Sequence, residues 1–169
     1  MADLPSMLEA VGAFATRAAD KLCKQDDRAS QIQVCAHTSP HREGSRFSRS
    51  ILVPLVRPTA DTRLLVEAAA AGMRTIYFPG FNLIKAGVIL MDMVGPNVHQ
   101  DELTFDDPPA RDLDPLMSAL DGLNARYGKG TVHVASTGQT RANQDWSMRQ
   151  GRRTPRYTTE WSELPIARA

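Results

Sequence analysis

Cysteine is almost missing from this chain: only Cys23 and Cys35 occur in 169 residues. Two thiols so placed make neither a disulfide framework nor a paired-cysteine metal knuckle, and the expectation is two reduced, structural residues in a cytoplasmic protein. Aromatic residues are scarce at 6%, so a core has to come from aliphatic side chains and alanine. No apolar run approaches the roughly 20 residues that a membrane span needs. The opening MADLPSML has neither the basic nor the apolar region of a signal peptide. A dominant charge sign is missing too, because 20 Lys and Arg offset 19 Asp and Glu. Catalytic signatures are absent as well: there is no HExxH, no Walker loop and no nucleophile elbow. His37 and His41 are four apart, but Pro40 between them removes the helix that would turn both toward a metal. The sequence therefore predicts no cofactor, no metal and no active site of its own.

What is present is sorted along the chain. Between 36 and 57, Arg42, Arg46, Arg49 and Arg57 oppose Glu43 alone. From 92 to 121, Asp92, Asp101, Glu102, Asp106, Asp107, Asp112, Asp114 and Asp121 face only Arg111. From 141 to 156, Arg141, Arg149, Arg152, Arg153 and Arg156 oppose Asp145. Basic blocks flanking an acidic stretch can give a nearly neutral protein a polyanion-binding face.

Hydrophobic periodicity supplies the elements. Residues 4–25 read as a helix, capped by Asp3, with Pro5 in its first turn and Leu8, Val11, Ala15, Ala18 and Leu22 on one face. QIQVCAHT alternates, with Ile32, Val34 and Ala36 opposite Gln33, Cys35 and His37, as a half-buried strand does. After the turn SPHREGSR comes a second strand, FSRSILVPL. A helix over RPTADTRLLVEAAAAGM follows, with Thr59 as its cap and Gly72 weakening or ending it. PGFN turns the chain into a third strand, LIKAGVILMDM. The order predicts an α+β fold, with two helices on one face of a mostly antiparallel sheet. A split β-α-β arrangement normally has a strand before its first helix. None is found here, so a first strand is expected to be missing, its place filled by GTVHVA (130–135) or by a strand from a second copy. Beyond an acidic linker, DPLMSALDGLNARYGKG reads as a helix capped by Asp114 and ended by Gly128, with Leu116, Met117, Leu120 and Leu123 on its face. GTVHVA reads as a short strand. From Ser136 on, Trp146, Tyr157 and Trp161 are spread through a polar, Arg-rich and partly irregular extension with no packed element. The expected divisions are 1–94, the linker 95–112 and the extension 113–169.

Binding signals concentrate in two places. The loop HREGSRFSRS and the start of the third strand offer Arg42, Ser45, Arg46, Ser48, Arg49, Ser50 and Lys85, groups that hold a phosphate backbone without reading bases. By parity Ser48, Ser50 and Leu52 share one face and Arg49, Ile51 and Val53 the other, so Arg49 reaches solvent only near the beginning of the strand or at a bulge. Gly87 follows Lys85 on the same face and permits close approach of a large ligand. In the linker, Gln100, Leu103 and Phe105 match Q-x-x-L-x-F, which resembles the motif that bacterial replication factors insert into the sliding clamp. A linker has no core in which to bury Leu103 and Phe105, and it can present them.

Nearly the whole chain resembles the C-terminal part of the UmuC family, the Y-family translesion DNA polymerases of SOS mutagenesis. The resemblance rests on LPSMLEAV, ATRAADKL, HTSPHREG, VPLVRPTADTR and KAGVILMD, and most specifically on LNARYGKGTVHVASTG with RRTPRYTTEWSELP. It implies a little finger domain gripping template-primer duplex, then a UmuC-type extension. The partners it implies are DNA, the sliding clamp, a UmuD-type accessory subunit and a recombinase filament. The palm carboxylates that hold catalytic magnesium in that family have no counterpart here, so the expected function is a non-catalytic fragment in DNA repair. The alternative is a protein-protein adaptor acting through its linker and tail. A homodimer is a further expectation.

Overall fold

The structure, a computed structural model, describes residues 3–41, 44–95, 114–128, 130–137, 146 and 154–164. Helix α1 (Leu4–Gln25) starts where the Asp3 carboxylate accepts the Ser6 N–H at 3.3 Å, with Pro5 in the first turn. It stops at Asp26, whose φ of 55° is left-handed and lets its N–H bond the Cys23 carbonyl at 3.2 Å. Met7, Ala10, Val11, Ala15, Ala19 and Leu22 are buried along it.

Strands β1 (Arg28–Thr38), β2 (Ser48–Thr59) and β3 (Leu83–Val94) form one antiparallel sheet in the order β2-β1-β3. The alternation in β1 decides which face is covered. Ile32, Val34 and Ala36 are fully buried beneath α1 and α2 (Thr62–Ile76), while Gln31, Gln33, Cys35 and His37 line the other face. The fold is therefore the expected α+β arrangement of two helices on one sheet face.

Helix α2 corrects two local expectations. It runs four residues past Gly72, because this glycine answers a packing need. A Cβ there would stand 2.9 Å from Val34 Cγ2, 3.1 Å from Val53 Cγ2 and 3.3 Å from Ile51 Cγ2. These methyls belong to stiff β-branched side chains on the covered face. Gly72→Ala is expected to lower stability: overpacking costs about 1–3 kcal/mol, against about 1 kcal/mol gained in helix propensity. A denaturant midpoint above that of the wild type would contradict this reading.

The cap of α2 is Asp61, with Thr59 one step removed. Thr59 Oγ1 accepts the Asp61 N–H at 3.0 Å, and Asp61 Oδ1 accepts the Arg63 N–H at 2.8 Å. The Arg63 guanidinium also donates to both Asp61 oxygens, at 3.3 and 3.0 Å. Burial alone would push the Asp61 carboxyl up; the hydrogen bonds and charge of Arg63 outweigh it and hold the pKa below the usual 3.8. A carboxyl with a depressed folded pKa adds stability that is present above its unfolded pKa and is lost as pH falls through the folded one. Urea titrations below about pH 4 are therefore expected to show a loss in the wild type that Asp61→Asn lacks. Parallel acid limbs for the two proteins would refute this.

The chain after the linker also departs from expectation. Helix α3 (Asp114–Tyr127) ends at Gly128, at a φ of 107°, but of its expected apolar face only Met117 is buried, with Leu116 and Leu123 exposed. GTVHVA is no strand. The Asn124 side chain donates to the Val132 carbonyl and accepts its N–H, both at 2.9 Å, which uses the groups a ladder would need. Val134 then packs against the main core, and a single 3₁₀ turn, Ala135–Thr137, lies on α1. A Cβ on Gly12 would stand 3.4 Å from Thr137 Cγ2. This segment does not fill a missing strand, and among the described residues the outer edge of β3 has no partner. Nor is the extension free of packing: Trp146 meets Phe14 edge-on, with ring centroids 5.7 Å apart at 80°.

Candidate nucleic-acid interface

Strand register turns the uncovered sheet face into a grid. His37 pairs with Ser48 on one side and Lys85 on the other; Cys35 lies between Ser50 and Gly87 in the next row. Gln33 lies between Leu52 and Ile89, and Gln31 between Pro54 and Met91. None of these positions carries a carboxylate, whereas Glu9, Asp20 and Glu67 lie on the two helices. The face is polar and basic at the His37 end, and apolar at the other, where Leu52, Ile89 and Met91 are 47%, 53% and 40% exposed.

Gly87 keeps the middle of the face low. A Cβ there would stand 2.9 Å from Cys35 Sγ, and the thiol instead lies over the strand and donates to the Gly87 carbonyl at 3.7 Å.

The loop between β1 and β2 is closed by a small lock. Thr38 N–H donates to the Phe47 carbonyl at 2.9 Å, and Phe47 N–H donates to Thr38 Oγ1 at 3.0 Å. Phe47 is buried, with its ring 4.7 Å from that of Phe81. Against this lock lies a hollow of about 480 Å³, lined among others by His37, Ser39, His41, Arg46, Ser48 and Lys85. A smaller one of about 240 Å³ adjoins it beside Ser45 and Asn82.

The structure thus gathers Arg46, Ser48 and Lys85 around one hollow, sets Ser45 at its neighbour, and puts Ser50 one row further along the open face. Arg49 is not with them. It pairs with buried Ala36, so it lies on the helix side of the sheet, and its guanidinium stacks 5.5 Å from the Phe47 ring centroid. That is the placement its parity required. Arg42, and with it Gln100, Leu103 and Phe105, lie outside the described residues. His37, Ser39 and His41 were not among the expected site residues. The alternation put His37 on the open face, but only the pairing across three strands brings it between Ser48 and Lys85.

Chemically the face can hold an extended anion. Among the described residues no group of three or more His, Cys, Asp or Glu side chains could hold a metal, and no described helix is long and apolar enough to cross a membrane.

Residues 1–103 match the impB/mucB/samB family C-terminal domain, and residues 114–167 match a domain of unknown function (DUF4113). Protein UmuC of Salmonella typhimurium is 36% identical over 96% of this chain, and Protein MucB of Escherichia coli 34% identical over 97%. Protein ImpB of Salmonella typhimurium is 32% identical over 98%. The chain spans 38% of the length of each of these relatives. No solved structure matches it. With that family matched over most of its length, the chain belongs to the impB/mucB/samB C-terminal-domain family and corresponds to the C-terminal part of a UmuC-like protein.

Proposed function

We propose that this chain is the duplex-gripping and clamp-docking part of a Y-family translesion DNA polymerase, acting in SOS mutagenesis and DNA repair without performing the chemistry itself. One observation carries the DNA reading: the paired open-face positions from Gln31 to His37 and their partners on β2 and β3 carry no carboxylate, and Lys85, His37, Ser48 and Arg46 gather at one end. Such groups hold phosphates and read no bases, so binding should be sequence-blind, and weak without the rest of the polymerase. Gln100, Leu103 and Phe105 would anchor the sliding clamp. Contacts with an accessory subunit and a recombinase filament are proposed for the parent assembly and assigned to no residue.

Salt dependence tests the DNA reading. With about three to five cationic contacts to phosphates, log K should fall against log salt with a slope of roughly −3 to −4.5. A slope near zero would reject it in favour of the adaptor reading. The adaptor has its own support in the apolar half of the face, where exposed Leu52, Ile89 and Met91 adjoin.

The two sheet edges also differ. Pro54 and Pro58 blunt β2, whereas β3 offers twelve residues without proline and no described partner. A second copy pairing β3 with β3 would satisfy that edge. Sedimentation should then show a dimer that Ile89→Pro disrupts; a strict monomer at every concentration would rule it out.

A further inference from the structure

The hollow at the loop end of the sheet is more specific than a basic patch. His37 enters it from β1, Ser48 from β2, Lys85 from β3, and Ser39, His41 and Arg46 from the loop. Two permanent cations, two imidazoles and two hydroxyls face one space, and no carboxylate is among its described lining residues. Arg42 and Glu43, between β1 and β2 in the sequence, lie outside the described residues. Every one of the six can donate a hydrogen bond to an anionic oxygen, and a guanidinium with an ammonium suits phosphate in particular.

The hollow is also held in shape. Buried Phe47 and the two backbone-to-threonine links at Thr38 fix the loop where it returns to the sheet. The pairing of β1 with both neighbours fixes the spacing of Ser48, His37 and Lys85. His41 N–H is tied to Ser39 Oγ at 3.2 Å. Donors arranged before the ligand arrives lose little entropy on binding. Phe47 and Ile84 add apolar surface to the lining of the hollow, and its volume exceeds what one phosphate fills, so a sugar can follow the phosphate in.

We propose that this hollow is a phosphate subsite of the DNA-gripping face, in which His37 and His41 act as a pH-sensitive part of the grip. The proposal rests on the DNA reading given above. Histidine is the side chain that changes charge between about pH 5 and 8. A protonated imidazole adds a positive charge and a second N–H donor toward a phosphate that a neutral one lacks. Affinity for DNA should then rise as pH falls, while the cations Arg46 and Lys85 keep a basal grip above neutrality.

The test is fluorescence anisotropy of the full chain with a labelled duplex at about pH 5.5 and about pH 7.5, beside His37→Gln/His41→Gln. The wild type is expected to bind about tenfold tighter at the lower pH, with a salt slope steeper by up to about 1.8 for two added charges. In the double variant the ratio of the two affinities should fall to about 1, with circular dichroism confirming that it is folded. Duplexes with and without a 5′-phosphate separate the sources: an equal pH effect assigns the hollow to the continuous backbone, and an effect confined to the phosphorylated duplex assigns it to a strand end. If the wild type binds equally at both pH values, or the folded double variant keeps the full pH effect, the subsite is refuted and the DNA reading stands. If no duplex binds at either pH, the DNA reading itself fails.

Discussion

Replacing Leu103 and Phe105 together by alanine is expected to abolish binding of this chain to a bacterial sliding clamp. The two residues sit in HQDELTF, between VGPN and DDPPARD, where proline and acidic residues discourage any packed element. A sequence of this composition predicts no core for the two apolar side chains, and their spacing beside Gln100 resembles a peptide that seats its side chains in a partner pocket. A hexapeptide buries less than a standard interface, so the wild-type affinity should be on the order of micromolar. Buried apolar anchors of this kind carry about 2 kcal/mol or more each. Losing both removes about 4 kcal/mol and pushes the dissociation constant to about the millimolar range, where calorimetry records no binding. Gln100→Ala, which removes hydrogen bonds at the pocket rim, should cost less. Equal binding of wild type and double variant would reduce the match to coincidence and leave the DNA-gripping face to carry the functional account alone.

Elements were legible in this sequence where the signal is local. The alternation of QIQVCAHT gave β1 and its covered face correctly, because one buried and one open face leave a period-two record. The Asp3 cap and Pro5 gave the start of α1. Errors arose where a local signal met a tertiary demand. Gly72 reads as weakening or ending its helix, yet it is a contact point at which Val34, Ile51 and Val53 leave little room for a Cβ. Thr59 reads as a cap, but β2 runs through it and the nearby Asp61, held by Arg63, does the capping. GTVHVA has the composition of a strand, and its backbone groups are claimed instead by Asn124, eight residues before Val132. Spacing alone shows none of these.

The candidate site follows the same division. The loop arginines and serines announced themselves by composition, and parity separated Arg49 from Ser48 and Ser50. The hollow was not legible, because it exists only through the register that sets His37 between Ser48 and Lys85. Register is fixed by the whole sheet and by the Thr38–Phe47 lock, so it leaves no short-range pattern to read.

The uncovered sheet face is proposed to hold the DNA, with the helices facing away from it. Two double charge reversals compare the faces at the same change in net charge. Arg46→Glu/Lys85→Glu alters the sheet end, and Lys21→Glu/Arg74→Glu alters exposed positions on α1 and α2. All four residues are exposed, so the fold should tolerate both pairs, and any general electrostatic penalty should fall on both alike. Loss of two phosphate contacts predicts a salt slope shallower by roughly 1.8 in the sheet-face variant. Its affinity should drop at least about tenfold, the equivalent of about 1.4 kcal/mol. The measurement is the affinity of wild type and both variants for one duplex across a salt series. A large loss confined to Arg46→Glu/Lys85→Glu is the result predicted here; equal losses in the two variants, or a loss only in Lys21→Glu/Arg74→Glu, would contradict the assignment of the open face to DNA.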